Sequence, residues 1–215
     1  MKRQFLALLT LFSINLFGQD IYIPDTIFKN WLVNNEAINT NGDNEIQISE
    51  ANSFTGNISV SNLGITSLVG IEYFTSIPLL QAASNNLTSV DLSSNIALET
   101  LNIDDNFQLS YINIDGAFAL RVFSIGHVQI SEFNLSAHHN LEHINVSNNE
   151  YLTCLNLANG NMNNLWSDEN PTSWGNTNGL FISNNPNIGC VQIDSGFNIE
   201  NTGWFGSSVF HDNFS

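Results

Sequence analysis

The chain has 215 residues and a formal net charge of −16, with 4 Lys and Arg against 20 Asp and Glu. Nucleic acid and anionic lipid both demand clustered Lys/Arg, so this composition excludes them as partners. With 42% hydrophobic residues the chain can still bury a core, as one domain or one elongated array.

Met1-Lys2-Arg3 is a short basic start, and Phe5 to Phe17 is mostly apolar. Gly18-Gln19-Asp20 follows, with a small residue where a signal peptidase cuts. Residues 1–18 therefore read as a secretory signal, too short for a stable membrane span. Its removal leaves Lys29 and Arg121 against 20 acids, a charge of −18. No later apolar run reaches about 18 residues, so the mature chain is expected to be secreted, soluble and without membrane insertion.

Residues 19–55 read as a small helical cap. Within it, Asn39-x-Asn41-x-Asp43-Asn44-Glu45-Ile46-Gln47-x-x-Glu50 fits a twelve-residue EF-hand loop. Calcium takes oxygen ligands at loop positions 1, 3, 5, 7, 9 and 12. Here these are Asn39, Asn41, Asp43, the Glu45 carbonyl, Gln47 and Glu50. Only Asp43 and Glu50 bring side-chain charge to the ion, so no cofactor beyond weakly held calcium is expected, at about 10⁻⁴–10⁻³ M.

From residue 56 the chain repeats. Ile77-x-x-Leu80-x-Ala82-x-x-Asn85 is echoed by Leu98-x-x-Leu101-x-Ile103-x-x-Asn106. Leu120-x-x-Phe123-x-Ile125-x-x-Val128 and Leu141-x-x-Ile144-x-Val146-x-x-Asn149 continue the series. The period is about 21 or 22 residues, inside the leucine-rich-repeat range. The recurring Asn predicts a buried amide ladder where each coil leaves its strand. Val128 interrupts it, which predicts a locally distorted coil there.

Each unit has a second half: Leu87-x-x-Val90-Asp91-Leu92, Leu109-x-x-Ile112-Asn113-Ile114, Ile130-x-x-Phe133-Asn134-Leu135 and Leu152-x-x-Leu155-Asn156-Leu157. Apolar–polar–apolar triplets predict short strands. The fold class is therefore α+β: a flattened right-handed solenoid of five to six coils with two parallel sheets over residues 56–194. Residues 158–179 read as an insertion, and the register returns at Leu180-Phe181-Ile182-x-x-Asn185. Residues 195–215, with Phe197, Trp204, Phe205 and Phe210, read as a C-terminal cap over the apolar end.

This pattern resembles the secreted bacterial leucine-rich-repeat proteins of the internalin type. The resemblance is carried by Phe28-Lys29-Asn30-Trp31-Leu32 in the cap and by Ile65-Thr66-Ser67-Leu68-x-Gly70-Ile71-Glu72 as first repeat. Asn86-Leu87-Thr88-Ser89-Val90-Asp91-Leu92-Ser93 matches the repeat body. It spans residues 20–194 and implies a curved surface for extracellular recognition, with an EF-hand-like cap that need not hold calcium.

Cys154 and Cys190 precede Leu155 and Val191, so they stand at equivalent places in successive coils. Neighbouring strands lie about 4.8 Å apart, within the span a disulfide bridges. A bridge across the insertion is predicted, in keeping with an oxidising compartment. His138, His139 and His143 are expected as solvated loop residues, since the register places them at a turn and a strand. No G-x-S-x-G, phosphate loop with Lys or C-x-x-C occurs, so no enzyme is expected. Sequons such as Asn57-Ile58-Ser59 follow from the abundance of Asn in the repeat.

Solenoids of this kind bind with the exposed positions of a strand ladder. On the first side these include Thr100, Asn102, Asp104, His143 and Asn145; on the second, Tyr111, Asn113 and Asp115. Trp166 and Trp174 add aromatic anchors in the insertion. The expected function is a non-catalytic, monomeric module for protein–protein interaction or adhesion, its partner an extracellular protein or glycan. A glycan-binding protein using Trp166 and Trp174, and a structural surface protein without specific ligand, are the alternatives.

Overall fold

The computed structural model describes residues 18–162 and 179–196. The signal read over 1–18 (Gly18 apart), Trp166 and Trp174, and the C-terminal cap beyond Gly196 lie outside those residues.

Helix α1, Thr26–Val33, starts where Asp25 accepts the N–H groups of Ile27 and Phe28, both at 2.9 Å. Such a cap satisfies two of the orphan donors at a helix start. Phe28 and Leu32, one turn apart, are fully buried. Helix α2, Ile48–Ser53, opens where Glu50 accepts the N–H of Gln47 at 3.0 Å. Phe54 just after α2 meets Phe74 edge to face at 6.2 Å, seating the cap on the first coil.

The rest of the described chain is a leucine-rich-repeat solenoid of parallel strands. Its first side holds β1 (Ile58–Ser59), β2 (Leu79–Gln81), β4 (Thr100–Asn102), β6 (Val122–Ser124), β8 (His143–Asn145) and β10 (Gly179–Phe181). They pair in that order as one six-stranded parallel sheet. The register stacks Ile58, Leu80, Leu101, Phe123, Ile144 and Leu180 into one buried column. In each strand one apolar residue turns inward.

The second side holds β3 (Ser89–Asp91), β5 (Tyr111–Asn113), β7 (Glu132–Asn134), β9 (Cys154–Asn156) and β11 (Cys190–Gln192). Here the strands form two separate sheets, β3-β5 and β7-β9-β11. About four turns separate β2 from β10, fewer than the five to six coils expected. The coil that starts at β1 forms no second-side strand, and its chain passes into a 3₁₀ turn, Ile71–Tyr73.

The amide ladder is present. Asn106 donates to the Ala82 and Ile103 carbonyls at 3.1 and 2.9 Å and accepts from the Leu87 N–H at 3.1 Å. Asn85, Asn149 and Asn185 make the same inter-coil bonds. Each ladder residue follows one with left-handed backbone: Ser84, Asp105, His127, Asn148 and Asn184, at φ of 55° to 62°.

Val128 stands in the ladder, buried; its backbone N–H donates to Asn149 Oδ1, but its side chain offers no donor to the coil before it. The distortion expected there does not reach the first side, where β6 pairs in register with both β4 and β8. It is on the second side that this coil breaks from its neighbour, between β5 and β7.

Met162 and Asn159 are buried in the last turn before the gap, so the stretch 159–162 belongs to the solenoid rather than to an insertion starting at 158. Likewise Gly179 is already part of β10.

Candidate functional site

Cys154 and Cys190 are register partners on β9 and β11, with Cα atoms 4.5 Å apart, and they are disulfide-bonded. The bridge joins positions 36 apart in sequence and closes the longest coil.

The cap loop gathers the six residues expected around calcium, but its carboxylates are already occupied by neutral donors. Asn39 Oδ1 accepts the Gly42 N–H, Asn41 Oδ1 that of Asp43, and Asp43 Oδ1 that of Glu45. Yet Asn41 and Gln47 both aim amide N–H groups at Asp43 Oδ2, at 2.9 and 3.1 Å. Glu50 Oε1 accepts from the Thr40 N–H, the Thr40 hydroxyl and the Asn41 N–H, while Oε2 accepts from Gln47. The Glu45 carboxylate pairs with Lys29 at 2.6 Å. Calcium binding there would require both amides to turn and Glu50 to leave three backbone donors. No group of three or more His, Cys, Asp or Glu suited to a metal occurs among the described residues.

Two acids that sequence reasoning passed over organise the cap. Asp20 bridges to Gln47 through its strand-like backbone and accepts the Gln47 amide at 3.0 Å. Asp25 is buried and works in two directions. Its Oδ1 caps α1, and its Oδ2 accepts from the Thr66 N–H and hydroxyl, both at 2.7 Å, and from Ser67. Burial pushes the Asp25 carboxyl up, but the bonds from Phe28, Thr66 and Ile27 together outweigh it and hold the group below its ordinary value. The cap signal Asp25-Thr26 was readable in sequence. The bond to Thr66, 41 positions on, was not.

On the first side, Thr100, Asn102, Asp104, His143 and Asn145 share one face. The face is knitted together by its own polar groups. Asp104 accepts from the Ser124 hydroxyl at 2.8 Å and the Gly126 N–H at 2.7 Å, and Ser124 accepts from Asn145 at 3.2 Å. Burial drives the Asp104 carboxyl above its ordinary value against those bonds. Gly126 leaves room for this network, since a methyl there would lie 2.8 Å from the Ser147 carbonyl oxygen. The His143 ring lies against Phe181, centroids 5.2 Å apart.

On the second side, Tyr111 of β5 is 57% exposed. Asn113 and Asp115 follow it, and Asp91 lies beside Asn113 in register. Bonds from Ser93 hold the Asp91 carboxyl below its ordinary value, so it stays charged. Glu132 occupies the equivalent place on β7, also exposed. The two described cations are elsewhere and engaged: Lys29 with Glu45, and Arg121 with Glu142 at 2.6 Å and Glu99 at 3.9 Å. Every charge on the described part of this second-side face is therefore negative.

The histidines differ from expectation. His138 is buried in the solenoid rather than solvated, because its turn folds inward against Ile114. His127 pairs with Asp105 at 2.9 Å, and Ser84 donates to the other oxygen of Asp105 at 3.3 Å. In that string the carboxylate lies between hydroxyl and imidazole. The histidine therefore has no route to the serine proton, and no nucleophile is activated.

No protein-family model and no curated protein matches this chain. Among solved structures, the functional domain of InlJ from Listeria monocytogenes, described as including a cysteine ladder, is similar. The likeness covers 66% of this chain at 20% identity and a TM-score of 0.40. This chain spans only 39% of that one's length. No helix among the described residues is long and apolar enough to cross a membrane.

Proposed function

We propose that this protein is a secreted, non-catalytic binding module whose second side docks a cationic segment of an extracellular protein. The observation that carries this reading is Tyr111, exposed on a face whose described charges, Asp91, Asp115 and Glu132, are all acidic. Aromatic side chains are the usual anchors of a protein interface. A Tyr face with carboxylates around it attracts Lys or Arg through the ring and through charge together. The first side supports the reading by contrast, since Asp104, Ser124 and Asn145 already satisfy one another there. Export is supported by the basic–apolar start and by the disulfide.

The test is surface plasmon resonance of the mature chain against matched lysine/arginine-rich and neutral peptides. Binding is expected only to the cationic set and to weaken with salt. Tyr111→Ala is expected to weaken it about tenfold, a hot-spot loss, whereas Thr100→Ala on the first side leaves it unchanged. Equal binding by the Tyr111 variant would overturn the assignment.

Calcium enters this reading only as a weak ligand of the cap, at about 10⁻⁴–10⁻³ M, because binding must break the bonds described for Asn41, Gln47 and Glu50. Thermal unfolding midpoints in millimolar calcium and then in excess chelator are expected to differ by a few degrees at most, since such a site stabilises by only about 0.4–1.4 kcal/mol. A rise that Glu50→Gln abolishes would make residues 39–50 a true calcium site.

A further inference from the structure

The second-side turns hold one inward residue each, placed three after a buried apolar residue. Asn95, Ala117 and His138 donate backbone N–H groups to Leu92, Ile114 and Leu135 in turn. His138 thus occupies a place held by an amide at Asn95. It is 1% exposed and its ring packs on Phe118, centroids 5.9 Å apart. Nε2 lies 3.1 Å from the Ile114 carbonyl oxygen. A carbonyl only accepts, so Nε2 carries the proton. Nδ1 is buried with no partner. The next turn hangs on the same residue, since Asn159 donates to the His138 carbonyl at 3.1 Å.

We propose that His138 is an acid-sensitive latch, which when neutral ties the turns at Ile114 and Asn159 together and when protonated releases them. A proton on Nδ1 creates a buried cation whose new N–H has no acceptor, and both costs fall on the folded state alone. The charged and titratable groups facing the ring are Asp115, from the turn after β5, and the adjacent His139. Asp115 favours the cation and His139 opposes it. Burial is the larger effect and holds His138 below the ordinary histidine range despite the Ile114 bond. His139 is itself engaged, its Nδ1 on the Asn159 carbonyl.

With the folded value below the unfolded one, the unfolded chain takes up the proton first as pH falls. The stabilisation is therefore complete above about pH 6.5, the ordinary histidine value, and declines as pH drops from there toward the folded value. The first-side ladder is built from amides, which do not titrate, so acid has no comparable point of attack within that ladder.

The latch is tested by the thermal midpoint of the mature chain between pH 7.5 and pH 5, in the wild type and in His138→Asn. Asn places at 138 the residue found at 95. The wild type is expected to lose about 2–4 °C more than the variant over that range. Parallel falls in the two proteins would overturn the proposal. Should His138→Asn fail to fold, the imidazole resonances of the wild type decide the matter. One histidine must titrate well below the others, and a set that all titrate at the ordinary value refutes the latch. A docking result at Tyr111 in either direction leaves this outcome unaffected.

Discussion

The two sides of the solenoid are written in the same triplet grammar, yet one makes a continuous six-stranded sheet and the other splits into a pair and a triple. The turns explain the difference. On the first side every coil leaves its strand through a left-handed residue, and four of the six then place Asn inward. Each Asn closes its own turn and bonds the coil before it. On the second side the inward residues are Asn95, Ala117, His138 and Asn159; Asn95, His138 and Asn159 each bond a carbonyl of the coil before, and Ala117 cannot. The split falls between the coils of Ala117, which has no side-chain donor, and His138, which reaches back with one. Continuity in a parallel array depends on repeating the turn chemistry as much as the strand.

The largest test of this comparison addresses the core that joins the sides. Phe123 on β6 meets Phe133 on β7 edge to face at 5.8 Å, across the coil that breaks on the second side. Phe123→Ala is expected to destabilise by about 3–5 kcal/mol in urea melts, because a fully buried ring leaves a cavity. Next comes the second side's covalent tie. Replacing Cys154 and Cys190 with Ser is expected to cost about 2–4 kcal/mol, through the freedom regained by the unfolded chain.

The amides sharpen the comparison further. Asn149 donates twice, to Ile125 and Val146, and accepts from Val128. Asn95 donates to Ile71 and Phe74, but its oxygen is buried without a partner. Asn149→Ala should therefore cost about 2–3 kcal/mol and Asn95→Ala about 1 kcal/mol, as chemical denaturation can measure. The smallest effect has the opposite sign. Val128→Asn supplies the missing donor to the Ile103 carbonyl and is expected to stabilise by about 0.5–1.5 kcal/mol. A loss of stability there would mean that the valine packs better than the ladder bonds.

Repeats announce themselves in sequence because a solenoid reuses one buried pattern, and for that reason the strands, the amide ladder and the Cys154–Cys190 bridge were all legible. Residues that act once were not. His138 looks like a solvated loop histidine until its turn is seen to fold onto Ile114. Asp25 reads as a helix cap, while its bonds to Thr66 and Ser67 join segments no local rule connects. The cap loop shows a complementary limit. Its spacing suggests calcium, Asn41 and Gln47 aim amide N–H groups at Asp43, and spacing alone does not say which way an amide points. Tyr111 was visible as an exposed aromatic on a weakly acidic strand face, and the register sets Asp91 beside Asn113 on that face.

Hydrogen exchange followed residue by residue is the most direct test of the two-sided account. Amides of β4, β6 and β8 should show similar, strong protection straight through the Val128 coil, while those of β5 and β7 facing the break exchange measurably faster than those of β3 and β9. Uniform protection across both sides, or a weak point in the first sheet at Val128, would contradict it.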